Sequence, residues 1–489
     1  MRITLSKQNS KTDILIIPIK EGENLSNQQK KQISKQHILE VESLIENKIF
    51  KGKTGESFVF QNIKSSKKSY KSAIIIGLGD KKKINVHSIK KSIASITNHQ
   101  KKLKADKIAI LHENPKEALW LATGIFMNTY KFDKYITKKI KKISEVQIIN
   151  AEISKEEITK MNTLLESIYY TRDLVNSTSN DIDPDTLVEE AKKIAKENPL
   201  IKLTILDRKK LESLGCGAIL SIGQSSTKGP YMVIMEYKNE PKKDEKPLAI
   251  IGKGITFDTG GLYLKPAMHM NDMKMDKAGA CTVLGLFKTF KNLKPKGHIL
   301  GVLAIAENLI GKAAIRPGDI IKAYDGKTIE ILNTDGEGRI VLADAIAYTK
   351  KNYNPSKMIS IATLTGAAIV TLGYDIGVVL STDEELAKQI IESGKEVDEP
   401  FWELPLYEDY CENVKGKISD ITNSGYTVKA QTIMGAAFLK AFAGKTPLAH
   451  LDIAGTAWSN ENKPGYPAGA TAFGIMMFQK LLEKMVVRS

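Results

Sequence analysis

The sequence LAIIGKGITFDTGGLYLKP, residues 248–266, gives the clearest indication of the fold. Its opening apolar run predicts a buried strand that ends near Lys253. Asp258 follows five residues later, just before the flexible pair Gly260-Gly261. In open α/β sheets, sites form outside the carboxyl ends of the strands. The stretch therefore predicts such a sheet, with charged groups where one strand ends.

Two further stretches carry charge beside glycines and apolar residues. In MHMNDMKMDKAGA (268–280), Asp276 stands two residues before an Ala- and Gly-rich helix start. The stretch NTDGEGRIVLADA (333–345) has alternating charged residues: Asp335, Glu337 and Arg339. In an extended segment, this spacing would point the three side chains to one side. We therefore expect charged groups of all three stretches to converge.

Converging carboxylates repel one another unless cations neutralise them. Four are involved here: Asp258, Asp276, Asp335 and Glu337. Carboxylate oxygens suit Mg, Mn and Zn, and two divalent ions about 3.5–4 Å apart are the usual arrangement for hydrolysis. A surface network of salt bridges is the alternative. The flanking glycines and apolar runs favour partly buried charges and therefore a metal site.

Strand-like and helical patterns alternate along the rest of the chain. Strands are predicted at 13–19, 72–78, 107–111, 202–206, 231–237, 247–251, 298–304 and 357–364. We divide the chain into a basic N-terminal α/β domain (1–155), a helical linker (156–180) and a catalytic domain (181–489). For the first domain, a macro-like fold is one interpretation. The run 358–380 is predicted as a buried strand and a Gly-rich loop, because glycines and Asp375 interrupt it.

The net charge of +16 is concentrated in the first third of the chain. Residues 1–170 hold 32 Lys/Arg and 17 Asp/Glu, out of totals of 72 and 56. A basic region of this kind could bind nucleic acid. A solvated lysine-rich surface is the favoured interpretation, because arginine is better suited to bidentate phosphate recognition.

The three cysteines are far apart and form no Cys-x-x-Cys pair. Neither a disulfide framework nor a thiolate zinc site is indicated, which favours a reducing, cytoplasmic location. No signal peptide or membrane segment is expected.

The motifs together resemble those of the leucyl aminopeptidase (cytosol aminopeptidase) family. NTDGEGR is similar to the family signature usually written NTDAEGR. GKGITFDTGG, the MKMD segment, ATLTGAA (362–368) and HLDIAGTAW (450–458) match further blocks in the right order. The resemblance implies a small N-terminal α/β domain plus a larger C-terminal α/β catalytic domain, with a mixed central sheet flanked by helices, assembled as a homohexamer.

The resemblance also implies roles for individual residues. Asp258 and Glu337 would bridge two divalent ions, Mn²⁺ or Zn²⁺. Lys253, as a neutral amine, and Asp276 would complete one ion, and Asp335 the other. Lys265 and Arg339 would be the catalytic pair, with Arg339 anchoring a bicarbonate. A metal-bridging water would attack peptides that have a free N-terminus, with Leu and other apolar residues preferred.

Two residues depart from the family pattern. Gly336 stands where alanine is usual, which removes no functional group. Lys277 stands where methionine is usual, directly after Asp276. Its cation could weaken one ion, alter the first substrate pocket, or point away into solvent.

Two other functions compete with the aminopeptidase. The basic residues 51–150 motivate a DNA-binding role, which could coexist with peptidase activity. A different two-metal hydrolase, such as a phosphatase, would usually use histidine ligands, and these stretches offer only His269. No H-E-x-x-H, G-x-S-x-G or P-loop pattern occurs.

Overall fold

The computed structural model describes residues 1–5, 12–64, 69–103, 105–138, 141–149, 151–426 and 429–488. The chain forms two units. One comprises Met1–Tyr169 and Ser459–Gly469, and the other comprises Tyr170–Trp458 and Ala470–Ser489. The return of 459–469 to the first unit was not anticipated from the sequence.

The first unit contains a six-stranded sheet with the order β1-β6-β5-β2-β4-β3. All neighbours are parallel except β3 and β4. Its strands are β1 Arg2–Leu5, β2 Ile14–Ile19, β3 Ser57–Lys64, β4 Ser69–Gly77, β5 Lys107–Leu111 and β6 Glu145–Ile149. The apolar runs of β2, β4 and β5 are buried, as their sequences predict.

Four helices belong wholly to the first unit: α1 Asn27–Lys30, α2 Lys35–Glu46, α3 Val86–Leu103 and α4 Pro115–Thr129. Helix α5, Lys155–Asn176, continues from this unit into the second one. It occupies most of the segment predicted as a linker.

The second unit is built on an eight-stranded mixed sheet with the order β15-β14-β17-β13-β9-β10-β8-β7. Its strands are β7 Ile201–Leu206, β8 Tyr231–Asn239, β9 Leu248–Asp258, β10 Gly297–Asn308, β13 Lys357–Ala362, β14 Gly377–Ser381, β15 Phe401–Glu403 and β17 Leu448–Asp452. A small sheet adds β11 Ile320–Lys322, β12 Thr328–Glu330 and β16 Ile421–Thr422. The predicted fold class, with its mixed sheet, is confirmed.

Helices accompany these strands along the second unit. They are α6 Pro184–Glu197, α7 Arg208–Leu214, α8 Gly217–Gly223, α9 Ala267–Met270, α10 Ala278–Leu293, α11 Glu337–Tyr353, α12 Gly366–Leu372, α13 Glu384–Val397, α14 Glu408–Glu412, α15 Gln431–Ala443 and α16 Ile475–Arg488. A 3₁₀ turn covers Met273–Lys277, and two short strands, β18 Trp458–Ser459 and β19 Gly469–Ala470, complete the chain.

The register of three central strands positions the charged stretches. Strand β9 lies between β13 and β10 and is parallel to both. Its last residue, Asp258, is paired with Asn308 at the end of β10. Thr363 follows the end of β13 directly. Side chains from three strand ends therefore meet at one edge of the sheet.

Three local expectations were wrong. Strand β9 continues through the ITFD sequence to Asp258, so Lys253 lies in the middle of the strand. Glu337 and Arg339 lie in the first turn of α11 and not in an extended segment; an acidic residue is favourable at a helix N-terminus. The Gly-rich part of 358–380 contains helix α12, whose start Thr365 caps by accepting from the Ala368 N–H.

None of the helices in the described parts of the chain combines the length and apolar character that crossing a bilayer requires.

Helix α10 approaches the sheet closely at Gly279. A Cβ there would lie 2.2 Å from the carbonyl oxygen of Ile361 and 3.0 Å from the backbone nitrogen of Lys253. We expect Gly279→Ala to lower the free energy of unfolding by about 1–3 kcal/mol, because the backbones must separate. Urea unfolding measures this. Gly366→Ala is the matched control, since its Cβ would meet nothing within 4 Å; equal effects of the two substitutions would contradict the close approach.

Candidate metal centre

Lys253 lies at the centre of a buried ion cluster in the second unit. Its Nζ is 2.8 Å from Oδ2 of Asp276 and 2.7 Å from Oε1 of Glu337. The same nitrogen donates to the carbonyl oxygen of Thr363 at 3.0 Å. Strand β9, the 3₁₀ turn and helix α11 thus each bring one charged group to this point.

Lys265 forms the second half of the cluster. Its Nζ lies 2.9 Å from Oδ2 of Asp258 and 2.5 Å from Oδ1 of Asp335. The backbone N–H of Lys265 donates to the carbonyl oxygen of Thr259, which closes the loop after β9. Each lysine therefore bridges two carboxylates that come from different stretches of sequence.

Neutral side chains fix the orientation of these carboxylates. Thr363 donates its hydroxyl to Oδ1 of Asp276 at 2.6 Å. Asn308 donates its side-chain amide to Oδ1 of Asp258 at 2.8 Å, and the N–H of Gly260 donates to the same oxygen. Hydrogen bonds of this kind hold metal-binding carboxylates in a defined position.

The sequence did not identify Asn308 and Thr363 as site residues, because their role depends on strand order. Asn308 comes at the end of an apolar run, 50 residues after Asp258, and only the pairing of β9 with β10 brings the two together. The motif ATLTGAA, which includes Thr363, was the one available signal.

Burial and mutual repulsion control the protonation of the cluster. Burial disfavours the charged form of Lys253, but Asp276 and Glu337 outweigh it and raise the pKa of this amine. Burial raises the pKa of Asp276 well above its usual range, although Lys253 opposes the shift. Burial, with repulsion from Asp258 and Glu337, raises the pKa of Asp335 to about 6. A neutral Lys253 therefore requires that other cations take over the compensation of these carboxylates.

Arg339 lies beside the cluster and is also buried. Its Nη1 donates to the carbonyl oxygen of Asn423 at 2.9 Å, while its Nε has no hydrogen-bond partner among the described residues. Burial lowers the pKa of this guanidinium from its usual value, and Glu337 and Asp452 oppose that shift.

A cavity of about 410 Å³ connects these groups. All seven residues that the sequence singled out lie on its wall: Lys253, Asp258, Lys265, Asp276, Asp335, Glu337 and Arg339. His269 lies there as well. The structure therefore brings together the complete predicted set, whereas the role of each member stays a prediction.

The donor set fits divalent cations. Oxygens of Asp258, Asp335 and Glu337 lie within 4.8 Å of one another. Oε2 of Glu337 is buried and has no hydrogen-bond partner among the described residues. An orphaned carboxylate oxygen in an oxygen-rich, buried cluster suits Mg, Mn or Zn.

Lys277 does not enter the cavity. Its side chain is fully buried, and Nζ donates to the carbonyl oxygens of Ser177 and Lys274. Burial excludes the alternative in which this side chain points away into solvent. Lys277 is also not one of the residues that line the cavity.

Comparison with known proteins identifies the family. Residues 169–479 match the cytosol aminopeptidase family, catalytic domain, and residues 16–139 match its N-terminal domain. The first match alone covers more than half of the chain. The chain belongs to the cytosol aminopeptidase family.

Individual relatives agree with this family over nearly the full length. A probable cytosol aminopeptidase of Wolbachia pipientis wMel is 36% identical over 493 residues, covering 99% of this chain and 96% of the relative. Another from Pseudomonas fluorescens (strain SBW25) is 36% identical over 496 residues, covering 98% of each. The solved structure of the bottromycin maturation enzyme BotP in complex with Mn has a TM-score of 0.84 at 24% identity, covering 97% of this chain and 99% of that one. This last likeness concerns the fold.

Membership of this family establishes the activity of the chain. The chain is a metal-dependent aminopeptidase, a hydrolase of the dinuclear metallo-exopeptidase type. Among the residues that the structure describes, the oxygen-rich cluster of Asp258, Asp335 and Glu337 suits divalent metal ions.

Substitution of Asp258 and Glu337, the two carboxylates that are expected to bridge both ions, tests the site. We expect Asp258→Asn and Glu337→Gln each to weaken Mn²⁺ binding by about 100-fold or more, because loss of a direct ligand should exceed the 10–100-fold cost of losing a residue that supports one. Elemental analysis after dialysis measures bound metal. Asp319→Asn serves as control, since Asp319 pairs with Arg316 on the surface. Unchanged metal content in both site variants would contradict the assignment.

Proposed function

We propose that the protein removes N-terminal residues from peptides with a free α-amino group, and that Leu and other apolar residues are preferred. The observation that carries this proposal is the position of the carboxylate cluster, which faces a cavity with an apolar wall. As a neutral amine, a free α-amino group could bind one of the ions that this cluster would hold, whereas the amide nitrogen of an internal peptide bond is a poor ligand.

The apolar wall supports the preference for the first residue. It includes Met273, Leu364, Ile369, Met434 and Ala454. Methionine side chains adapt their shape to different apolar partners. A charged first side chain would lose part of its hydration against these apolar side chains.

We propose that Asp258 and Glu337 would bridge two divalent ions, Mn²⁺ or Zn²⁺. Lys253 and Asp276 would complete one, and Asp335 the other. When bound, such ions would supply an activated water as the nucleophile and would polarise the scissile carbonyl. Asn308 and Thr363 would keep Asp258 and Asp276 in position throughout the reaction, because their hydrogen bonds do not depend on the ions.

Lys265 and Arg339 would act on the reacting groups from within the cavity. The ammonium of Lys265 can stabilise the negative charge that develops on the carbonyl oxygen. The unpartnered Nε of Arg339 supports anchoring of a small planar anion, which we propose to be bicarbonate, because a guanidinium matches such an anion in geometry. Arg339 would hold this anion close to the reacting groups, where it would supply an acceptor for the proton of the attacking water and a donor to the leaving amine.

The catalytic role of Lys265 can be separated from metal binding. We expect Lys265→Met to lower kcat about 10²–10³-fold, the usual cost of losing an oxyanion donor, with bound metal retained. Steady-state kinetics at saturating Mn²⁺ measures this. Lys429→Met is the control, because Lys429 lines the same cavity and makes no ion pair among the described residues. A variant of Lys265 with normal kcat would contradict the role.

A peptide panel tests the proposed function itself. With Mn²⁺ or Zn²⁺, we expect release of the first residue from Leu-initiated peptides, slower release from Asp-initiated ones, and none from the N-acetylated peptide. Dialysis against a chelator should abolish the activity. Cleavage of the acetylated peptide at an equal rate would show that the free amino group is not recognised. Absence of cleavage of every peptide would contradict the proposed function.

Further expectations stay proposals. They are the homohexameric assembly, the cytoplasmic location and the possibility that basic residues 51–150 bind DNA. None of them is needed for the chemistry of the cavity.

A further inference from the structure

Lys277 is a buried cation with no place in the proposed reaction. It ends the 3₁₀ turn Met273–Lys277 and follows Asp276 directly. Its Nζ donates to the carbonyl oxygen of Ser177 at 3.0 Å and to that of Lys274 at 2.6 Å. The side chain therefore forms one hydrogen bond within its own turn and one with Ser177, which is distant in sequence.

The segment after helix α5 contains the distant acceptor of Lys277, and it also forms a hydrogen bond with strand β9. Ser177 is the first residue after α5. Ser179 donates its hydroxyl to the carbonyl oxygen of Thr256 in β9, two residues before Asp258. The segment 177–179 therefore contacts the elements that carry two carboxylates of the cluster. It accepts from Lys277 of the turn that carries Asp276, and it donates through Ser179 to the strand that carries Asp258.

Burial of an ammonium is costly unless hydrogen bonds replace its hydration. An apolar side chain of similar length would fill the same space without that cost. Nor does Lys277 activate its neighbour Cys281, because burial raises the pKa of that thiol to about 12 despite the nearby cation. The contacts to the two carbonyl oxygens are what distinguish lysine from methionine here.

We propose that Lys277 is a positioning residue for Asp276. By tying the 3₁₀ turn to Ser177, it holds the Asp276 carboxylate against Lys253 and Thr363, on the side of the turn that faces the cavity. The inference rests on the proposed metal site, because it is the geometry of a metal ligand that Lys277 maintains. It assigns a use to a residue that departs from the family pattern.

The test compares Lys277→Met with the wild-type protein in Mn²⁺ titrations. Residues that support metal ligands typically contribute 10–100-fold in affinity. We therefore expect the ion that Lys253 and Asp276 would hold to lose affinity by about that factor. At saturating Mn²⁺, kcat should lie within about threefold of wild type, because no reacting group is removed. In the metal-free protein, hydrogen exchange should be faster at residues 273–277.

Lys350→Met is the matched control. Lys350 also donates to a backbone carbonyl oxygen in the second unit, that of Phe442 at 2.8 Å, but lies away from the cavity. We expect this variant to change thermal stability without changing Mn²⁺ affinity. Lys277→Gln keeps a donor, so it should recover part of the affinity, and it replaces the methionine variant if that one does not fold.

Either of two affinity measurements would overturn the proposal. One is Mn²⁺ affinity within twofold of wild type in a folded Lys277 variant. The other is an equal loss of affinity in the Lys350 variant, which would indicate general destabilisation. If the wild-type protein bound no Mn²⁺, the proposed function would fail. The positioning role is tested separately: hydrogen exchange at 273–277 that is the same in the metal-free wild-type and Lys277→Met proteins would refute it.

Discussion

Four carboxylates and two lysines share one largely buried volume at the carboxyl edge of the large sheet, and the structure around them depends on this cluster. Lys253 bridges Asp276 and Glu337, and Lys265 bridges Asp258 and Asp335. Buried charges are stable only when paired and hydrogen-bonded. The remaining orphaned oxygen of Glu337 shows that the protein groups alone do not complete this compensation.

Enclosing the cluster constrains the backbone around it. Helix α11 begins so close to Lys253 that a Cβ on Gly338 would lie 2.6 Å from its Nζ. Helix α10 approaches the same strand at Gly279. These contacts exclude water from Lys253 and strengthen its interaction with the carboxylates. A side chain at either position would therefore disturb both the packing of the helix and the surroundings of Lys253.

The sequence predicts much of this arrangement, and its failures have physical causes. Apolar runs identify β2, β9 and β13 because buried parallel strands need them. Charged residues beside glycines identify six of the seven cavity residues, and the family resemblance adds Lys265. Local pattern could not show that β9 continues to Asp258, since Lys253 interrupts its apolar run. It also missed Asn308, because a partner 50 residues away depends on strand order. The direction of the Lys277 side chain was undecidable for the same reason: its acceptor at Ser177 is distant in sequence.

The most direct test of the central claim is anomalous diffraction from crystals of the protein grown with Mn²⁺. We expect two peaks at the Mn absorption edge, about 3.5–4 Å apart, between Asp258, Asp335 and Glu337, with the Lys253 nitrogen beside one of them. A map without peaks in this cavity at saturating Mn²⁺, or with Lys253 still bridging Asp276 and Glu337 as an ammonium, would contradict it.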